Sequence, residues 1–469
     1  MKLRKFRWRT MRLVAGCVAL LVCAACGGSA RGQDADQTAA RGAARGAAPV
    51  LRSEHGPNSA EQQKKHYVIL VSLDGFRYDY AEKYHAQHLL ALAAAGATAP
   101  QGMIPAYPSL TFPNHYTLAT GLYPEHHGIV ANNFYDPARK QVYRLTDPAA
   151  VTDGSWYGGT PLWVLAEQQG MRTACYFWPG SEAEIQGTRP SYYLKYEEKV
   201  PNDSRVEQVL EWLRLPAEQR PHLITLYFSD VDHAGHEHGP DSEEVRAAVQ
   251  VVDREVGLLE DGLAKLHLPV DVMVVSDHGM AKVQGEMALD QYLPDASAGL
   301  FEKIVLPGLY ARSDADAQRA YEALKGKSEK FEVYRRAQMP AGLHDDSNAR
   351  SGDPIVVTNG PYLVRFSARG PAGGMPGFEH QQVGAHGFDP ARVPEMKASF
   401  FAAGPDIRAG VTVAPFENVN VYPLVAKLLG LDIAHLKTGA IDGDVKVLEG
   451  ILKGGAEKNA RSRVGAAAE

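Results

Sequence analysis

The sequence predicts an α/β fold, a central sheet flanked by helices, and three observations carry that prediction. Residues 67–73 (YVILVSL), 223–228 (LITLYF) and 272–275 are nearly continuous apolar runs, the pattern of strands covered on both faces. Each run leads into acid: Asp74-Gly75, Ser229-Asp230-Val231-Asp232 and Ser276-Asp277-His278-Gly279. Helical spacing of apolar residues fills the intervals, at 162–169, 206–213 and 242–266. Open α/β sheets place their ligand sites at the carboxyl ends of the strands, so the aspartates mark the functional edge.

Taken in order, the chain begins with an export-type segment. The first 25 residues contain Lys2, Arg4, Lys5, Arg7, Arg9 and Arg12 and no acid. The apolar stretch 13–25 that ends this segment is the length of a signal core and too short to span a bilayer. Cys26-Gly27-Gly28-Ser29 follows two alanines as in a bacterial lipobox, although Cys23 stands where leucine is usual. The expectation is a protein exported to the periplasm or cell envelope and attached to the membrane through a lipidated Cys26; simple cleavage of the signal is the alternative. Residues 26–63, with ARGAARGAA at their centre, are expected to form a flexible tether.

The folded body is expected over 64–450. A helix ends over 89–95 and is closed by Gly96. Within the body, about 290–375 reads as a smaller α+β insertion: the segment 303–311, a helix over 316–324, and strands at 331–335 and 362–366. The Gly- and Pro-rich stretch that follows returns the chain to a strand at 399–403 and a helix at 421–429. Residues 451–469 read as a disordered tail.

With 469 residues and 45% hydrophobic content, the chain can bury a sizeable core. Its net charge is −6, and would be −12 without the first 25 residues. An acidic body argues against nucleic-acid polymers as partners, because their binding relies on neutralised phosphates. A small phosphate ester whose charge is met by metal ions is compatible with it. Cys17 and Cys23 would leave with the signal and Cys26 would be lipidated or free, so Cys175 stands alone in the body. Neither a disulfide pair nor a zinc-type cysteine pair is available, and any metal must be held by nitrogen and oxygen ligands.

The stretch 103–132 places Thr111 at the mouth of a short helix. Pro113 suits a first turn, where a missing N–H costs nothing, and Gly121 suits a left-handed stop. A hydroxyl there faces free backbone N–H groups and the positive end of the helix dipole, which favours phosphate. At the predicted strand ends stand Asp74, Asp232, His236, Asp277, His278 and, later, His386. Asp277 and His278 can serve one site only if their strand has already ended, because neighbours on a strand point to opposite faces. Asp232 and His236 are expected on a loop that Gly235 bends round. Three carboxylates and three imidazoles at one edge call for cations, and zinc suits that donor set.

SLDGFR, TFPNHYTLATGLYPEHHGIVAN, YFWPGSEAEIQG, DVDHAGHEHGP, VVSDHGM and GAHGFDP together resemble the nucleotide pyrophosphatase/phosphodiesterase family of the alkaline phosphatase superfamily, from about Val68 to Tyr422. The resemblance implies an alkaline-phosphatase-like sheet and two Zn2+ ions, one held by Asp232, His236 and His386, the other by Asp74, Thr111, Asp277 and His278. It implies a phospho-threonine intermediate on Thr111, a phosphate contact from Asn132, and a nucleotide base held between Phe112 and Tyr196, with Tyr227 in the same pocket. Two local departures stand out, Asp230 ahead of Asp232 and the doubled His126-His127. The implied activity is hydrolysis of nucleotide phosphodiester or pyrophosphate bonds to nucleoside 5′-monophosphates. A choline- or glycerol-type phosphodiesterase acting on lipids is the alternative. A sulfatase lacks support, since no Cys or Ser in a C/S-x-P-x-R context surrounds Thr111.

Overall fold

The structure is a computed structural model and describes residues 48–293, 297–367, 382–434 and 436–454. Among these, nine strands form the main sheet. In chain order they are β1 (Leu51–Arg52), β2 (Tyr67–Leu73), β3 (Ala97–Thr98), β4 (Thr173–Tyr176), β5 (Tyr192–Tyr193), β6 (Leu223–Phe228), β7 (Val270–Val275), β8 (Phe400–Ala403) and β9 (Val411–Thr412). Their spatial order is β1-β5-β4-β6-β2-β7-β8-β3-β9. β5, β4, β6, β2 and β7 run parallel; β8 pairs antiparallel with β7 and with β3.

All seven residues of β2 are buried, and they divide between two cores. Val68 and Leu70 face one layer with Leu118, Trp163 and Val425; Ile69, Val71 and Leu73 face the other with Leu89, Trp212 and Val252. Successive strand side chains point to opposite faces, so a strand between two helical layers is apolar along nearly its whole length, here with Ser72 as the exception, its hydroxyl paired with His115 Nε2. The first layer holds α2 (Thr111–Thr120), α3 (Leu162–Gln168) and α7 (Val421–Leu428). The second holds α1 (Gln87–Ala95), α4 (Asn202–Arg214) and α6 (Glu243–Leu266). In α6 the buried Val245, Val249, Val252, Val256 and Leu259 recur at helical spacing and make the stripe that covers the sheet. Its Ser242 caps the first turn by accepting from Val245 N.

The insertion has its own four-stranded sheet, in the order Phe301–Val305, Gly308–Ala311, Ile355–Thr358, Phe331–Tyr334, with the helix Asp314–Leu324 against it. The segment 303–311 is therefore a hairpin. The strand Tyr362–Arg365 does not join this sheet; it pairs in parallel with Gly285–Ala288.

Two boundaries differ from expectation. The predicted tether was to reach residue 63, yet β1 pairs with β5, and buried Asn58 donates to the carbonyls of Ala217 and Arg220. Long-range backbone pairing folds this stretch, which composition does not register. At the other end Leu452 is buried and Lys453 N donates to Asp406 O, so ordered chain passes 451. The export segment, Cys26 and tether residues 26–47 lie outside the described residues, as do 455–469. No helix among the described residues is long and apolar enough to cross a membrane.

Candidate active site

Thr111 opens α2, and Gly121 closes that helix at φ 67° in the left-handed conformation. The approach to Thr111 is clamped by Asn114. Its Oδ1 accepts from Ala106 N at 2.8 Å, and its amide nitrogen faces the carbonyls of Pro108 and Leu110 at 3.0 Å. Thr111 Oγ1 then lies 3.3 Å from His278 Nε2.

The six acidic and imidazole residues meet this hydroxyl at one edge of the main sheet. Asp74 follows β2 directly. β7 ends at Val275, so Asp277 and His278 are free of strand alternation and both turn to the site. Asp232 and His236 lie on a helix, α5 (Asp230–His238), and not on the expected loop. The spacing i, i+4 puts them on one helical face, and Gly235 serves close packing instead of bending. A side chain at Gly384 would strike Gly235 O at 2.2 Å. That close approach lets Gly384 O accept from His236 Nδ1 at 2.9 Å. Gly75 serves the same end from the other side, since at φ 68° a Cβ there would stand 2.9 Å from Asp232 Cα.

The hydrogen bonds decide which way each imidazole faces. His236 Nδ1 is 2.9 Å from Gly384 O, His278 Nδ1 is 2.9 Å from Gly279 O, and His386 Nδ1 is 2.9 Å from Ser109 O. A carbonyl only accepts, so each Nδ1 carries the proton and each Nε2 lone pair points inward. There the lone pairs meet one another and the carboxylates. His386 Nε2 is 3.1 Å from His236 Nε2, and His278 Nε2 is 2.9 Å from Asp277 Oδ2. His236 Nε2 and His386 Nε2 lie 3.4 and 3.6 Å from Asp232 Oδ1. Asp74 Oδ1, Asp232 Oδ1 and Asp277 Oδ2 are buried without a hydrogen-bond partner.

Electrostatics tell the same story. Burial, reinforced by the charges of Asp277 and Asp232, pushes the Asp74 carboxyl well above the usual range. Burial also works against the Asp277 carboxylate, but His278 and His115 outweigh it and hold that group well below the usual range. His278 is driven up by Asp277 despite burial, while burial and the neighbouring His278 and His236 push His386 well down. Opposed shifts among touching groups mark a site short of positive charge. Inward-facing lone pairs and orphaned carboxylate oxygens fit divalent cations. Asp232, His236 and His386 form one group able to hold an ion, and Asp74, Asp232 and His278 form another around Asp74.

The remaining expected residues surround this centre. Asn132 Oδ1 accepts from Phe112 N at 2.9 Å, which orients the amide so that its buried, unpartnered Nδ2 is left to donate. Phe112 is half-buried against Tyr143. Tyr196 is 44% exposed, with its ring 6.1 Å from that of Tyr227. Tyr227 is itself buried, and its hydroxyl donates to Asp74 Oδ2 at 2.6 Å.

Sequence reasoning missed His115 and Ser109. His115 is one helical turn beyond Thr111, a spacing that could have flagged it. Its Nδ1 lies 2.8 Å from Thr111 O and 3.3 Å from Asp277 Oδ2, and its Nε2 takes the Ser72 hydroxyl at 2.8 Å. With both nitrogens engaged, His115 braces Asp277 from behind. Ser109, whose carbonyl holds His386, gives no signal in the sequence. The two local departures are structural. Asp230 accepts from Asn202 at the start of α5, and His126 reaches away from the centre, its Nδ1 2.7 Å from Asp442 Oδ2, while buried His127 joins α2 through Thr117 Oγ1 at 3.0 Å.

Residues 68–389 match the family model for type I phosphodiesterase / nucleotide pyrophosphatase. An uncharacterized pyrophosphatase/phosphodiesterase of Schizosaccharomyces pombe is 35% identical over 390 residues, covering 80% of this chain and 79% of that one. Ectonucleotide pyrophosphatase/phosphodiesterase family member 1 of Rattus norvegicus is 36% identical over 380 residues, 78% of this chain but 41% of the rat protein. Venom phosphodiesterase 2 of Crotalus adamanteus is 34% identical over 78% of this chain and 45% of its own. This chain thus spans less than half the length of the latter two. An inactive variant of murine ectonucleotide pyrophosphatase/phosphodiesterase 5, solved in complex with AMP, superposes with a TM-score of 0.74 and 28% identity, covering 83% of this chain and all of that one. The chain belongs to the type I phosphodiesterase / nucleotide pyrophosphatase family of enzymes.

Proposed function

We propose that this protein is a zinc-dependent hydrolase that cleaves phosphodiester or pyrophosphate bonds of nucleotides and releases nucleoside 5′-monophosphates. One observation carries the reading: three imidazoles, each fixed by a carbonyl at Nδ1, turn Nε2 onto three carboxylates that have unpartnered oxygens, beside the Thr111 hydroxyl. Asp232, His236 and His386 would hold one Zn2+, and Asp74, Asp277, His278 and Thr111 the other. Bound zinc favours deprotonation of a coordinated hydroxyl or water and offsets phosphate charge.

Thr111 loses its hydroxyl proton to solvent and its Oγ attacks phosphorus in line. The Oγ–P bond forms as the P–O bond to the leaving group breaks; the leaving oxygen keeps the electron pair and is protonated from solvent. Water then attacks the phospho-threonine, the Oγ–P bond breaks, and Thr111 regains its proton as the nucleoside 5′-monophosphate departs. Asn132 Nδ2 donates to a non-bridging oxygen, a contact that gains strength as charge develops there. Tyr227 holds Asp74 through its hydroxyl, and His115 steadies Asp277. The exposed face of Tyr196 and the half-buried Phe112 offer stacking surfaces for a base, which suit any nucleotide because every base has a flat face. The murine relative crystallised with AMP supports a nucleotide over a choline or glycerol ester. The signal-like N-terminus supports a place outside the cytoplasm.

The test combines metal analysis with a substrate pair. Metal-saturated protein should carry about two zinc ions per chain and should hydrolyse p-nitrophenyl-TMP far faster than p-nitrophenylphosphorylcholine, with chelator abolishing turnover. Faster cleavage of the choline ester would replace the nucleotide reading with the lipid one.

A further inference from the structure

Beyond the metal-type centre, a cavity of about 150 Å3 opens between the main body and the insertion. It reaches the centre at His386 and Asn132, and its outer wall is built from Tyr107, Leu306, Val356 and Tyr362. The aromatic residues assigned to the base are elsewhere: Tyr196 and Tyr227 adjoin the centre through Asp74, and none of Phe112, Tyr196 and Tyr227 lines this cavity. The aromatic groups thus stand on the Asp74 side of the centre, and the cavity on the His386 side.

We propose that the His386-side cavity receives the leaving group, and that it selects esters of an uncharged, ring-bearing alcohol over phosphoanhydrides whose leaving group is phosphate or pyrophosphate. This rests on the hydrolase reading above. In-line attack by Thr111 sends the leaving oxygen to the far side of phosphorus. With the retained nucleoside on Tyr196 and Phe112, the recess at His386 is the one left for the departing part.

Charge and size define that part. Among the described residues, no lysine or arginine lines the cavity. Arg350 lines a neighbouring recess, but its guanidinium is held by Asp136 at 2.8 Å and by the carbonyls of Gly128 and Trp156. The Lys330 ammonium packs on the Tyr362 ring at 5.1 Å and is not part of the lining. The ion that His386 would help to hold stands at the inner end only, so a departing pyrophosphate would carry its outer charges along described walls that offer no further cation, which is costly. An apolar cavity of about 150 Å3 is the size that takes a single benzene-like ring. The polar groups available to a ring substituent are neutral: the Thr358 hydroxyl and the Asn133 amide, whose Oδ1 is buried without a partner. An amide in either orientation can pair with a base edge, and in neither does it neutralise a phosphate.

The experiment holds the retained TMP constant and changes only what leaves, using the dinucleoside monophosphate TpT, thymidine 5′-methyl phosphate and dTTP with the zinc-loaded enzyme. Wild type should show kcat/KM for TpT at least about tenfold above that for dTTP, although the anhydride is the more reactive bond. Tyr362→Ala should lower kcat/KM on TpT at least about tenfold more than on the methyl ester. Leu306→Lys, at a half-buried hairpin position, should raise the dTTP-to-TpT ratio by about tenfold. Thermal melts confirm that each variant is folded, and either variant alone decides the question if the other does not fold. Equal losses on both esters with Tyr362→Ala, an unmoved ratio with Leu306→Lys, or a wild-type preference for dTTP would overturn the assignment of the cavity. Failure of wild type to cleave any of the three would instead overturn the phosphodiesterase reading itself, and this proposal with it.

Discussion

Thr111 is set apart by its neighbours, since a threonine at a helix start is ordinarily a local structural feature. Its hydroxyl lies within 3.3 Å of His278 Nε2, and its own carbonyl is bound by His115, which also faces Asp277. Thr111→Ala should lower p-nitrophenyl-TMP hydrolysis by about 10^3-fold or more while leaving the melting temperature nearly unchanged. Substantial residual turnover would remove Thr111 as the nucleophile. The aromatic residues should behave differently. Phe112→Ala and Tyr196→Ala should each raise KM for nucleotide substrates by about tenfold, the worth of one stacking surface, and much less for p-nitrophenyl esters without a base. A uniform rise across both substrate types would dismiss the stacking role.

At the scale of elements, the site depends on how tightly β2, α5 and the chain after β7 can be drawn together. Gly75 N donates to Asp277 Oδ1 at 3.2 Å, and the absence of a Cβ lets the backbone of Asp232 come close. Gly75→Ala combines a left-handed φ with that close contact, so it should cost roughly 2 kcal/mol of stability. It should also push Asp232 away from Asp74 and weaken metal uptake. Calorimetry and a zinc titration measure the two effects, and an unaltered titration would refute the packing argument. The helix α5 makes the complementary point. Because it is helical, Asp232 and His236 need no loop rearrangement to share a face, and their geometry is set before a ligand arrives.

At the scale of the whole molecule, the insertion is joined to the body by buried polar contacts. Glu125 accepts from the backbone of Asp346 and Ser347, and Arg350 pairs with Asp136. In the same loop, Asp345 is buried and pushed up to about 8 by desolvation; the Ser351 hydroxyl opposes this and the charge of Glu125 adds to it. A carboxyl raised in the folded state contributes stability that is fully present below its unfolded value, about 4, and lost as pH rises through the folded one. Asp345→Asn stays neutral throughout, so the fall in melting temperature between about pH 5 and about pH 8 should be smaller in the variant than in wild type. An equal fall in both proteins would show that Asp345 ionises normally.

The sequence by itself determined the strands that build the centre of the sheet, the direction in which they present acid, and the acidic and imidazole residues that the structure brings together beside Thr111. It could do so because a strand buried on both faces is apolar along most of its length, and because Asp74, Asp277 and His278 stand just beyond such runs. Only the tertiary structure decided that Asp232 and His236 share a helix, that residues 51–52 join the sheet, and that Ser109 and His115 hold His386 and Asp277 in place. These facts rest on backbone carbonyls, close glycine approaches and pairings between distant segments, which depend on where chains meet in space and leave no pattern among neighbouring residues.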